Sequence, residues 1–307
     1  MLRIVVAILL TSLVGFTGPV AATAEPSPGK NARPAILETM DQVFYEALRQ
    51  AVGAPARADI GDQATERLSD DLVLVPRENA VKLLTMMRLP VPPDLTGLLL
   101  GSEGMESAGV IRFVPAGFID ANEALAWTPD DMLSSIAGTV ERANAERLKQ
   151  NQPALELRRW IQPPHYDPET HQLSWAALIL PKGASRESEG EFSYNAIGFG
   201  REGYVQLTIV TSVEKAETMG RAVNGFLAGL YFRPGKAYGD AVPGDRRAPG
   251  GLAGAMGVDS LQKMQIASGF GGTDSVVAIA GGIIGSIGGL SLLIYIQRHR
   301  RQEARRG

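Results

Sequence analysis

Two of the chain's three histidines lie in one short stretch, WIQPPHYDPETHQLSW, Trp160 to Trp175. His165, Asp167, Glu169 and His171 offer imidazole and carboxylate together, the donor set that zinc and similar ions take, with the phenol of Tyr166 beside them. A neutral imidazole next to a carboxylate can also act as a general base. The spacing matches no metal signature, and four ligands drawn from so short a segment leave little room for tetrahedral geometry. The same residues read as a turn. In Asp167-Pro168-Glu169-Thr170 the Asp stands first, where its side chain can bond the backbone, and the Pro second, where its φ is already set. Pro163 and Pro164 hold the preceding chain extended. Trp160 and Trp175 bracket the loop as candidate cross-strand neighbours. The turn is the expected reading; the two are compatible, and His165, Tyr166, Asp167 and His171 are the candidate binding residues, with metal left open.

Other chemistry finds no residues to carry it. The chain contains no cysteine, no GxSxG elbow, no Walker-type loop and no HExxH. GFGREG, Gly198 to Gly203, has suggestive glycines but lies between two strand-like runs instead of opening a helix, as a nucleotide loop would. The expectation is an interaction or sensing module without a cofactor, and the alternative is a metal-dependent binder or enzyme centred on His165 to His171.

Ile36, Leu37, Met40, Val43, Phe44 and Leu48 recur at helical spacing. DIGDQATERL and DLVLVP are strand-like, and Glu78 to Met87 reads as a short helix halted by Pro90, Pro92 and Pro93. Leu95 to Leu100 and Gly109 to Pro115 are further strands. Thr128-Pro129-Asp130-Asp131 is a strong helix start, with a capping hydroxyl, a proline in the first turn and acids at the positive end of the dipole. Strands are expected over Leu155 to Ile161, Gln172 to Leu180, Glu191 to Phe199 and Tyr204 to Thr211, the last two joined by the Gly200–Gly203 turn. Phe192, Tyr194 and Ala196 alternate with Ser193, Asn195 and Gly198, the pattern of a half-buried strand. A last helix spans Glu214 to Leu230. The order implies an α+β domain, an antiparallel sheet with packed helices.

The ends predict location. Arg3, an apolar run and Ala22-Thr23-Ala24 read as a signal peptide over 1–24, followed by a polar leader over 25–33. The exported domain is expected over 34–245 and a Gly/Pro-rich stalk over 246–274. Residues 275–296 are uncharged and long enough to cross a hydrocarbon core of about 30 Å. The arginines of the 297–307 tail keep that end cytoplasmic. Gly281, Gly285 and Gly289 recur every fourth residue, a spacing at which membrane helices pack closely, so self-association or a membrane-protein partner is expected besides inner-membrane lipid. Of 30 basic and 33 acidic residues, Arg3 and five arginines with Glu303 of the tail fall outside the exported part. That part is left with a net charge of about −8, which argues against nucleic acid.

Four stretches carry a resemblance: IGDQATERL, ERANAERLKQNQPALELRRWIQPPHYDPETHQLSWA, YNAIGFGREGYVQLTIV and YFRPGKAYGD. Together they are similar to the bacterial family called domain of unknown function 2167, described as predicted membrane-anchored proteins, over Asp59 to about Asp245. The resemblance implies a signal peptide and a hydrophobic C-terminus. It implies no activity, substrate or catalytic residue.

Overall fold

The computed structural model of the protein describes residues 42–256, apart from 71, 87–90, 102–103, 150–152 and 213–214. The expected signal peptide and leader, the Gly281, Gly285 and Gly289 stripe, the expected 275–296 span and the basic tail lie outside the described residues. Among the described residues no helix is long and apolar enough to cross a membrane.

An eight-stranded antiparallel sheet forms the frame. It takes β1 (Val52–Gly53), β4 (Leu72–Pro76), β5 (Leu95–Gly101), β6 (Gly104–Val114), β7 (Leu155–Asp167), β8 (Gln172–Pro181), β9 (Glu191–Phe199) and β10 (Tyr204–Ser212), in the order β1-β4-β5-β6-β10-β9-β8-β7. A second sheet of three strands joins β2 (Arg57–Ile60), β3 (Ala64–Arg67) and β11 (Leu230–Phe232), in the order β11-β3-β2. The helices are α1 (residues 42–49), α2 (Arg77–Met86), α3 (Pro129–Lys149), α4 (Ala216–Gly229) and the short α5 (Gly251–Ala255).

Side-chain alternation divides the large sheet into two buried faces. One face presents Ala176, Leu178, Tyr194, Ala196, Val205, Leu207 and Ile209 to α4 and the small sheet. The other presents Leu173, Trp175, Ile197, Phe199 and Tyr204 to Met132 of α3, a 3₁₀ helix at Ala121–Ala126, and Leu252 and Ala255 of α5. The sequence pattern at Phe192–Phe199 predicts a strand with one wet face. The structure covers both, because Ser193 and Asn195 are buried and satisfy one another: Thr208 Oγ1 donates to Asn195 Oδ1 and Asn195 Nδ2 to Ser193 Oγ, at 3.0 and 3.1 Å. In the same face Arg112 is buried in a two-pronged ion pair with Asp94, at 2.7 and 2.6 Å.

Helix α3 starts where the capping signal lies. Thr128 Oγ1 accepts from Asp131 N at 3.2 Å and its hydroxyl donates to the Asp131 carboxylate at 2.6 Å. The helix is pinned to edge strand β7 at both ends: Trp160 Nε1 donates to Pro129 O, and Asn144 exchanges two bonds of 2.8 Å with the backbone of Leu155.

Two differences from the sequence reading bear on the site. Strand β7 continues through Pro163 and Pro164 to Asp167, with register irregularities that let an edge strand tolerate proline. These shifts set Trp160 opposite Ala177, so Trp160 and Trp175 are not direct cross-strand partners. Residues 246–256, expected as stalk, are part of the folded body. Arg246 O accepts from Phe118 N, Ala248 N donates to Phe118 O, and Leu252 is fully buried. Gly117, at φ +99°, makes this docking possible, since a Cβ there would strike Arg246 O.

Candidate functional site

The turn ending β7 closes with the expected chemistry. Asp167 Oδ1 accepts from Glu169 N at 2.8 Å and Oδ2 from the Thr170 hydroxyl at 2.8 Å. The Glu169 backbone bond, then the Thr170 hydroxyl, hold the Asp167 carboxyl below its ordinary range. His171 completes the loop at φ 53°, the only positive φ outside glycine among the described residues. A left-handed residue at this position turns the chain back into β8, and His tolerates it better than a branched side chain would.

That backbone setting swings the His171 ring over Tyr238, far along the chain. The rings stack at 3.9 Å between centroids, 23° from parallel. Phe118 packs on Tyr238 at 4.9 Å. The Arg247 guanidinium stands 5.5 Å over Phe118. Four planar groups therefore run in series from the turn to the 241–247 loop. Below them Tyr166 and His171 meet, with 3.2 Å between the phenol oxygen and Nδ1, and the phenol lies 3.5 Å from Asn122 Oδ1. One arrangement satisfies both contacts: Nδ1–H donates to the phenol oxygen and the phenol donates onward to Asn122. Burial pushes the Tyr166 phenol up to about 12 and raises Tyr238 as well. Burial lowers His171, with Asp167 opposing, so the imidazole is held toward its neutral form.

Of the sequence-expected residues, the structure brings Tyr166 and His171 together. Asp167 is committed to its turn. His165 is exposed and, one residue before the buried Tyr166 on β7, points to the opposite face. Among the described residues no group of three or more His, Asp or Glu side chains could hold a metal ion. Sequence reasoning missed Tyr238, Phe118, Asn122 and Arg247. Only Tyr238 carried a signal, as part of the GKAYGD stretch.

The surrounding segments are tied by ion pairs. Arg201 grips Asp245 with both prongs, at 2.8 and 2.9 Å. Lys236 bonds Glu202 at 2.6 Å, and Gln63 Nε2 donates to the other Glu202 oxygen at 3.0 Å. Arg233 pairs with Asp59 at 2.6 Å. These partners hold Asp245 and Glu202 below the usual carboxylate range, Arg201 being the main cause for the first and Lys236 for the second. Backbone joins the same segments, with Arg201 N donating to Lys236 O and Gly200 bridging Ala237. Part of each of the four stretches that carry the family resemblance, spread from residue 60 to residue 240, thus lies at one end of the fold. Beside them a half-open pocket of about 380 Å³ is lined by Phe118, Ala241, Val242, Pro243, Asp245 and Arg247.

A family model described as "Protein of unknown function (DUF2167)" matches residues 53–281. No curated protein matches the chain. Among solved structures, the solution structure of cyanobacterial PsbP (CyanoP) from Synechocystis sp. PCC 6803 is similar at a TM-score of 0.37 and 11% identity, covering 58% of this chain and 92% of that one.

Proposed function

The chain belongs to the DUF2167 family of proteins of unknown function, and from that premise we propose that it is an exported, membrane-tethered interaction module. Its working surface is the end where the 167–171 turn, the 200–203 turn and the 233–248 loop meet. The observation that carries this reading is the Arg201–Asp245 fork with its flanking Lys236–Glu202 pair. Asp245 is thereby committed to holding one segment against another, and the Asp167 carboxylate is committed to its own turn. Groups used in this way build a fixed surface, and an Asp167 carboxylate bound into its turn is not free to serve His171 as an acid–base partner. A surface fixed before contact loses less conformational entropy on binding. The tether rests on the uncharged 275–296 stretch and the arginines after it, which favour a single span with the body outside and the tail in the cytoplasm.

Site-specific photo-cross-linking in intact cells tests the surface. A photoreactive residue at Val242 is expected to give a discrete protein adduct that Arg201→Gln abolishes, while one at exposed Glu187 gives none. Equal patterns from both positions would refute the assignment. For the tether, truncation before residue 275 is expected to move the protein from the membrane to the soluble periplasmic fraction; retention in the membrane would refute it.

A further inference from the structure

The pocket beside Phe118 holds two charged side chains of unequal status. Asp245 is fully engaged: Arg201 grips it, and Val242 N donates to it at 2.7 Å. Arg247 has no carboxylate within ion-pair distance among the described residues, and its guanidinium rests on the face of Phe118. The uncompensated charge at the pocket is therefore a single planar cation on an aromatic platform. The rest of the lining is apolar, from Phe118, Ala241, Val242 and Pro243, and Val242 is 49% exposed at the rim. We propose that this pocket captures the C-terminal carboxylate of a partner polypeptide ending in an apolar residue, with Arg247 as the fork that binds the carboxylate. The inference rests on the interaction-module reading above and names the partner chemistry of that same surface.

Three features select this occupant. A single guanidinium matches a planar monoanion with two parallel N–H···O bonds, whereas a phosphate dianion calls for more donors. The neighbouring Arg246 is not among the residues lining the pocket, and its guanidinium donates to Pro115 O. A volume of about 380 Å³ lies at the low end for ligand sites, which suits one terminal side chain with its carboxylate. The pocket is open on one side, so the preceding residues of a chain can leave over the exposed Val242, and free chain ends are a recurring recognition target. The loop is pre-formed for this purpose: Gly244 at φ +99° allows the tight Val242–Asp245 turn, and the Phe118 backbone bonds hold its far side.

Fluorescence anisotropy with the full chain in phosphatidylcholine nanodiscs tests the proposal. The probes are N-terminally labelled hexapeptides, Ser-Gly-Ser-Gly-Ser followed by Val, Leu or Phe, each as free acid and as C-terminal amide, with hexanoate as competitor. At least one acid is expected to bind, its amide at least about tenfold more weakly. Arg247→Gln and, independently, Val242→Asp should each weaken the acid about tenfold, and Arg247→Lys should recover part of the loss. Both positions are exposed, and an unchanged melting temperature certifies the fold. Acid and amide binding alike, or no peptide binding at all, would overturn the proposal, as would hexanoate binding where no peptide does. If the peptides fail while the Val242 cross-link persists, the interaction module stands and carboxylate capture falls; if both fail, both readings fall.

Discussion

Glu66 on β3 is 1% exposed and faces the core between the two sheets, with Ala58, Ala64 and Leu230 as neighbours. Its Oε2 has no hydrogen-bond partner. Its Oε1 occupies the space left by Gly229, where a Cβ would stand 2.5 Å away. Removed from water with no cation beside it, the carboxyl is pushed from 4.5 to about 9 and stays protonated at neutral pH. An acid whose pKa rises on folding weakens the fold as pH increases. The penalty is absent below pH 4.5, grows by about 1.4 kcal/mol per unit, and levels off near pH 9. The penalty comes to about 1 kcal/mol at pH 5, about 3 at pH 7 and about 5 at pH 8. Glu66→Gln keeps the shape and removes the titration. The Gln head has its own burial cost, but that cost does not change with pH. The difference in unfolding free energy between Glu66→Gln and the native chain should therefore move by about 4 kcal/mol in favour of Gln from pH 5 to pH 8. Urea unfolding followed by tryptophan fluorescence in mild detergent measures it. A difference constant within about 1 kcal/mol across that range would refute the reasoning.

The two histidines should separate sharply. His165→Ala is expected to change stability by less than about 0.5 kcal/mol, as at other exposed sites, while His171→Ala, which loses the Tyr238 stack and strains a left-handed residue, should cost about 1–3 kcal/mol by urea unfolding. Because burial lowers the His171 pKa, stability from the neutral imidazole is fully present above pH 6.5 and is lost as pH falls toward the folded value; His171→Asn should remove that acid-side loss in melts between pH 7 and pH 5. Asp94→Asn strands the buried Arg112 guanidinium and should cost about 3–5 kcal/mol, with Asp94→Asn/Arg112→Met closer to the native chain. Asp167→Ala takes away the turn's side-chain acceptor and should lower stability by about 1 kcal/mol in the same assay.

Local signals were legible wherever chemistry acts between near neighbours. The Thr128 cap, the Asp167-Pro168 turn and the Gly200–Gly203 hairpin fall where the residues predict, since each is closed by bonds within a few residues. The α+β antiparallel frame follows from strand order. What escaped depends on pairing across the chain. Asn195 and Ser193 read as solvent-facing until Thr208 is set opposite Asn195 in the register. The GGLAGAM stretch reads as linker, because small residues have too little apolar contrast to mark a buried face, yet Leu252, Ala255 and Met256 close the second core. At the candidate site, the histidine turn was visible but its real neighbour was not. Tyr238 reaches His171 through contacts between distant segments, among them the Gly200–Ala237 bridge and the Arg201 N–Lys236 O bond, which leave no periodic signature.

The docking of α5 sets an upper bound on a length. From Met256, the last described residue, 18 residues lead to the apolar stretch that begins at Ser275, and they can span no more than about 60 Å. The pocket loop at 241–247 precedes Met256 by about ten residues, so on the proposed topology the distance of the pocket from the bilayer is limited by the same reach. A short leash of this kind restricts which chain ends can be sampled. Termini that emerge near the same membrane surface would meet the pocket at high effective concentration, and those held farther into the periplasm would meet it rarely.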